Sequence, residues 1–292
     1  MNIALVTYQD DGAYHQFTVK NEDDQLLAFL QSKNLTIAKV IWDDNNVNWE
    51  QFDLVIIKSP WDYFNKINAF YAWLAQLKSK NIRVLNPIDV IQWNADKHYL
   101  TDIESAKLNL TPSIFVERGS KIDLSTYFEQ LGSKKIVVKP VVSGGSKNTF
   151  KVSPENIDVV NEEVNALLAE EGFIIQPFLE EIAAHGEWSF LFFGGKFSHA
   201  LLKKAKPGDF RVQSIFGGTI NLTTPPTHLL ASAQQYVDQF AKGCLYARVD
   251  GVLVYEVFLL MELELIEPFL FLDTNQSALQ NYYNALVGLL NN

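Results

Sequence analysis

Residues 246–268 read YARVDGVLVYEVFLLMELELIEP, two runs of β-branched, aliphatic and aromatic residues with acids set into them at Asp250, Glu262 and Glu264. The apolar background predicts two buried strands. Side chains two apart on a strand leave the same face, so Glu262 and Glu264 are expected together and Glu267 on the other side. A hairpin joining the two runs would carry Asp250 to that same face. Three carboxylates at short range repel one another and resist desolvation, which requires a cation among them. Oxygen donors without nearby His or Cys match Mg²⁺ or Mn²⁺ better than zinc. The competing reading is a solvated strand edge with alternating acids.

Around this stretch lies a chain of 292 residues, 48% apolar, long enough for two or three packed lobes. Its net charge of −10 argues against a nucleic-acid or anionic-membrane partner, while leaving room for a local basic pocket that binds phosphate. Cys244 is the single cysteine, which excludes an intramolecular disulfide and a cysteine metal cluster and fits a reducing cytoplasm. The run Met1–Tyr8 lacks a basic region and is too short for a signal peptide, so it is expected to be a first strand. Glu256, Glu262 and Glu264 interrupt the longest apolar run, so no membrane span is expected.

Strands expected at Ile3–Tyr8, Thr36–Trp42, Leu54–Lys58 and Arg83–Leu85 alternate with helices at Asp23–Ser32 and Lys66–Lys80. Such alternation predicts a parallel sheet covered on both faces. The loop after the first strand does not match GxGxxG, which argues against a dinucleotide site there. After the third strand comes Ser59-Pro60-Trp61-Asp62-Tyr63, either a ligand contact or a turn capped by Asp62 with Trp61 in the core. Beyond Asn86-Pro87 a helix is expected through Asp96–Leu100, carrying Lys97, and then strands at Ser113–Val116, Lys135–Pro140, Thr149–Val152 and Phe173–Gln176. Between two of these, Ser143-Gly144-Gly145-Ser146 exposes backbone N–H groups that suit phosphate oxygens, or forms a plain hairpin turn. A hairpin of Glu187–Phe193 with Lys196–Lys203 turns at Gly194-Gly195. Arg211 stands among small and polar residues, as a functional cation or as a surface arginine. Helices at Pro226–Gly243 and Ser277–Leu290 flank the acidic strands.

A lysine on a helix, a lysine on a strand, a glycine loop, a strand into a hinge, an arginine loop and an acidic strand pair follow one another from about residue 86 to 290. In this order the parts resemble the ATP-grasp superfamily, particularly the glutathione synthetase-like carboxylate–amine ligases. Through KSPWDY (58–63), NADKHYL (94–100), GDFRVQ (208–213) and YARVDGV (246–252) the chain is similar to the cycloserine-type (O-ureidoserine) cyclo-ligases. The resemblance implies an α/β fold: a parallel-sheet lobe at 1–87, then two α+β lobes that clasp ATP, a lid lobe at 88–176 and a catalytic lobe at 177–292.

The same resemblance implies residue roles. Lys97 and Lys139 would reach the ATP phosphates, with Ser143, Gly144, Gly145 and Ser146 closing over them. Gln176, Pro177, Phe178 and Leu179 would border adenine, and Glu187 would hold the ribose. Asp250, Glu262 and Glu264 would hold two Mg²⁺ ions, for which Mn²⁺ can substitute. Arg211 and Lys139 would be catalytic, Arg211 by stabilising the transferred phosphoryl group. The implied activity joins a small-molecule carboxylate, amino-acid-like or peptide, to an amine or other nucleophile through an acyl phosphate, within one molecule in a cyclo-ligase. The implied setting is cytoplasmic, with homodimers common among relatives. Three positions depart from the pattern: Glu264 stands where relatives usually have asparagine, Ser189 where some carry a basic residue, and Glu267 is an added acid. Two further readings keep the nucleotide site, a synapsin-like binding module without chemistry and an ATP-grasp-type small-molecule kinase.

Overall fold

A computed structural model describes residues 1–9, 21–206 and 217–291. The chain divides into two compact units, one made of Met1–Asn94 with Glu181–Asn292, the other of Ala95–Glu180. The larger unit begins with β1 (Asn2–Thr7), α1 (Glu22–Ser32), β2 (Thr36–Ile41), β3 (Leu54–Ser59), α2 (Ile67–Ser79), β4 (Arg83–Leu85) and α3 (Ile88–Asn94). The four strands form a parallel sheet in the order β2-β1-β3-β4. Every residue of β3 and all but the first of β1 are buried, the mark of parallel strands covered on both sides.

The smaller unit holds α4 (Tyr99–Ser105), β5 (Ile114–Val116), α5 (Ser125–Gln130), β6 (Ile136–Pro140), β7 (Phe150–Val152), α6 (Ile157–Leu167) and β8 (Phe173–Pro177). Its sheet is antiparallel in the order β5-β8-β6-β7. One face of it, with Ile136, Val138, Phe173 and Ile175, packs on Val160, Val164 and Leu168. The helix expected through Asp96–Leu100 is interrupted: α3 ends at Asn94, α4 starts at Tyr99, and Lys97 lies in the turn between them. Local hydrogen bonds compete with the helix here. The Lys97 N–H donates to Val141 O at 2.9 Å, and Asp96 Oδ1 accepts from His98 N at 2.9 Å.

The chain then returns to the larger unit with α7 (Glu181–His185), β9 (Glu187–Phe193), β10 (Lys196–Lys204), β11 (Thr219–Leu222), α8 (Thr227–Phe240), β12 (Tyr246–Val254), β13 (Val257–Glu264) and α9 (Ala278–Leu290). These strands form an antiparallel sheet in the order β11-β10-β9-β12-β13. A single hydrophobic core containing Leu5, Leu26, Ile56, Leu191, Leu201, Tyr282 and Leu286 joins the parallel sheet to this one. The sequence division at 1–87, 88–176 and 177–292 therefore keeps apart two segments that share one core. Two buried asparagines latch them further. Asn86 Nδ2 donates to Tyr246 O (2.9 Å) and Leu265 O (2.8 Å), and its Oδ1 accepts from Leu245 N (2.7 Å). Asn94 repeats the device, donating to Leu263 O (2.8 Å) and accepting from Leu265 N (2.9 Å). Among the described residues no helix is long and apolar enough to cross a membrane.

His199 on β10 is 2% exposed, and its Nε2 lies 3.0 Å from Leu270 O, which it serves as donor in the neutral ring. Burial pushes its pKa down to about 4, against a smaller upward pull from the Leu270 and Phe271 backbone. As pH falls from 6.5, the unfolded chain takes up a proton that the folded chain refuses, so stability drops until about pH 4. The whole window is worth about 3 kcal/mol. His199→Asn is expected to lose less stability than the parent between pH 7 and pH 4.5 in urea titrations; equal losses would refute the assignment.

Candidate active site

In the smaller unit, antiparallel register places Lys139 opposite Ile174 and Val137 opposite Gln176. Opposed residues share a face, so Lys139 and Gln176 lie together on the side of the sheet away from the Val138–Ile175 core. Gln176 is 6% exposed and donates from Nε2 to Ser113 Oγ at 2.9 Å. Lys97, also 6% exposed, donates from Nζ to Ser143 O at 3.1 Å, which ties it to the first residue of the glycine loop. In that loop Lys147 N donates to Gly144 O, and Gly145 and Ser146 take positive φ of 59° and 64°. Phe178, just past Pro177 at the end of β8, is buried, and the Lys151 ammonium lies 4.0 Å from its ring centroid. Leu179 follows it in the chain.

In the larger unit the acidic strands form the expected hairpin, closed by a two-residue turn in which Tyr255 and Glu256 have φ of 46° and 64°. From the turn, Val254 faces Val257 and Gly251 faces Leu260, but Asp250 faces Glu262. Met261 is therefore an extra residue, a β-bulge. Without it Asp250 would face Met261, and Glu262 and Glu264 would point to the opposite side. The bulge is what puts the three acids on one face. Gly251 permits it, since a Cβ there would come within 2.5 Å of Leu259 O.

That face also carries Arg248, opposite Glu264. Arg248 donates to Asp250 through Nε (3.0 and 3.1 Å) and Nη2 (2.9 Å), to Phe269 O through Nη1 (3.0 Å), and to Glu264 through Nη2. Lys203, directly opposite Glu187 in the β9–β10 hairpin, lies 3.0 Å from Glu187 and 3.5 Å from Asp250. Ser189 Oγ donates to Asp250 Oδ1. Burial by itself would raise the Asp250 pKa, but Arg248 and Lys203 outweigh it and hold the carboxyl at about 2. Glu264 is pushed well above the usual carboxylate range by burial, which Arg248 opposes and to which repulsion from Asp250, Glu262 and Glu267 adds. Glu187 is raised by burial and by Asp250, with Lys203 opposing.

The sequence reading required a cation among these acids and passed over the two the chain itself supplies. Only the first was accessible to pattern. Arg248 precedes Asp250 by two positions on a strand, whereas the Gly194-Gly195 turn alone would bring Leu202 opposite Glu187, and a register shift between Phe197 and His199 brings Lys203 there instead. With Arg248 wedged between Asp250 and Glu264, the described residues contain no group of three or more His, Cys, Asp or Glu placed to hold a metal ion. Their donor chemistry fits a hard divalent cation nonetheless: all are carboxylate oxygens on one face. Arg211 lies outside the described residues.

The loop after β3 is neither a simple cap nor a core turn. Asp62 makes no capping bond and instead accepts from Trp42 Nε1 (2.7 Å) and Lys66 Nζ (2.6 Å). Trp61 is only partly buried and donates from Nε1 to Glu267 O at 3.0 Å. Lys58 is buried between Glu22 (3.0 Å) and Asp23 (3.3 Å), whose charges outweigh burial and raise its pKa. The Tyr63 pKa is driven far up by burial and then by Glu267, Glu262 and Glu264.

Comparison with known proteins bears on both units. Residues 104–251, just over half the chain, match the family model of the prokaryotic glutathione synthetase ATP-grasp domain, and residues 3–86 match that of the D-cycloserine synthetase DcsG N-terminal domain. The cycloserine biosynthesis protein DcsG of Streptomyces lavendulae is 29% identical over 185 residues, a stretch covering 62% of this chain and 61% of that protein. The crystal structure of D-cycloserine synthetase DcsG superposes with a TM-score of 0.84 at 25% identity, covering 99% of this chain and 100% of that one. D-alanine–D-alanine ligase from Bacillus anthracis, complexed with ATP, shares the fold, with a TM-score of 0.75 at 14% identity over 100% of this chain and 98% of that one.

Proposed function

Because the chain belongs to the prokaryotic glutathione synthetase ATP-grasp family, we propose that it is an ATP-dependent ligase that activates a carboxylate as an acyl phosphate and passes it to an amine or similar nucleophile. The observation that carries this reading is the face of the β12–β13 hairpin, where Asp250 opposes Glu262 and Arg248 opposes Glu264. A carboxylate attacking a triphosphate must overcome like-charge repulsion, so the protein has to bring cations to both reactants. Arg248 and Lys203 are such cations, held in place by acids rather than by solvent. In the first step a substrate carboxylate oxygen bonds to the γ-phosphorus as ADP leaves. In the second, the nucleophile bonds to the acyl carbon as phosphate leaves.

Asp250, Glu262 and Glu264 are the residues to hold Mg²⁺, which when bound neutralises phosphate charge and polarises the transferred group. Lys97, Lys139 and the backbone of Ser143–Ser146 serve the phosphates, Gln176–Leu179 the adenine, and Glu187 the ribose. Arg211 is assigned to the transferred phosphoryl group. The kinship of 62% of the chain with a cycloserine biosynthesis protein favours a small amino-acid-like substrate and ring closure within one molecule.

The test is ADP and phosphate release across a panel of amino acids with hydroxylamine present. Hydroxamate formation is expected with the true substrate, and ADP release without any hydroxamate would point to a kinase instead. Lys139→Ala is expected to weaken ATP binding by roughly tenfold or more in calorimetry, the order of a lost charge-assisted contact to phosphate. An unchanged affinity would remove Lys139 from the phosphate site.

A further inference from the structure

Asp250, 4% exposed, has each carboxylate oxygen within reach of Arg248, with Ser189 on Oδ1 and Lys203 on the side of Oδ2. Glu187 is held by the same Lys203, and Glu264 by the same Arg248. Lys203 and Arg248 are themselves 6% and 8% exposed, so neither swings free of the acids without a new partner. Two cations thus serve three carboxylates in a space from which water is largely excluded. A divalent ion approaching Asp250 alone would meet two positive charges at close range, and the low local dielectric makes that repulsion strong. A polyphosphate changes the balance. Its oxygens can accept Lys203 and Arg248 in place of the acids, and the released carboxylates then need the metal.

We propose that Lys203 and Arg248 are placeholders that reserve the hairpin carboxylates, so that the site takes divalent metal only together with a polyphosphate and is closed to the free ion. Lys203 links the two subsites, because it contacts both Glu187, assigned to the ribose, and Asp250, assigned to the metal. The proposal rests on the ATP reading above and adds to it the exclusion of the free ion by the two cations.

Mn²⁺ followed by water-proton relaxation, with and without the non-hydrolysable nucleotide AMP-PNP, tests this directly on the whole chain. The parent protein is expected to bind Mn²⁺ more tightly by roughly tenfold or more when AMP-PNP is present. Lys203→Met, checked for folding by circular dichroism, is expected to bind Mn²⁺ without nucleotide roughly tenfold more tightly than the parent, and Lys203→Arg to restore the parental exclusion. Equal Mn²⁺ affinity of the parent with and without AMP-PNP would overturn the proposal while leaving ATP binding intact. So would a folded Lys203→Met variant with parental Mn²⁺ affinity. Failure of the parent to bind AMP-PNP at all, measured separately by calorimetry, would bring down the ATP reading and this inference with it. Should Lys203→Met not fold, the comparison on the parent protein decides.

Discussion

Replacing Glu262 by glutamine is expected to lower ATP turnover by roughly a thousandfold and to leave the melting temperature close to that of the parent. The amide keeps the shape of the side chain, and Glu262 is only half-buried, so packing has little to lose. What disappears is one negative charge opposite Asp250 on the hairpin face. If that charge anchors a metal on the nucleotide, its loss falls on the step in which phosphate charge is redistributed, and kcat should fall more than ATP affinity. Steady-state ADP release, with thermal denaturation as the control, checks both halves of the expectation. Full turnover in a folded Glu262→Gln protein would remove the hairpin from the catalytic account.

Arg248→Met is expected to cost about 3–5 kcal/mol of stability, the range for removing one partner of a buried ion pair. The methionine roughly replaces the aliphatic volume but leaves Asp250 with Lys203 and the Ser189 hydroxyl and takes the guanidinium away from Glu264. Lost hydrogen bonds add to this, since Phe269 O also depends on the guanidinium. Adding Glu264→Gln to Arg248→Met should recover part of the loss by deleting an acid that no longer has a counter-charge. Arg248→Lys should fall between, keeping the charge but not the planar fork that reaches Asp250 through two nitrogens. Urea unfolding of the four proteins measures each difference. A parental midpoint for Arg248→Met would mean that Asp250 and Glu264 are not held by this arginine.

The parallel lobe could be read from local pattern, since β1 and β3 carry near-continuous apolar runs between amphipathic helices. The hairpin of residues 187–193 with 196–203 could be read from its glycine turn, but not the pairing of Glu187 with Lys203, which a register shift between Phe197 and His199 creates. Lys97 was legible as a residue but not as a conformation. Its N–H bonds to Val141, more than forty positions away, and no helix propensity reports such a partner.

The acidic hairpin divides the two kinds of information most clearly. Strand alternation, a property of adjacent residues, was enough to put Glu262 and Glu264 on one face and to identify the stretch as an oxygen-rich site. Whether Asp250 joins them depends on how the two strands slide past each other, and a shift of one residue reverses every side chain. The bulge at Met261 made that choice, together with Gly251, whose missing Cβ leaves room for the partner strand. Tertiary packing also brought Lys203 from a different strand to Asp250, and joined the first and last segments of the chain through one core. Composition and period specify which groups a strand presents; only register and long-range burial specify which charges meet.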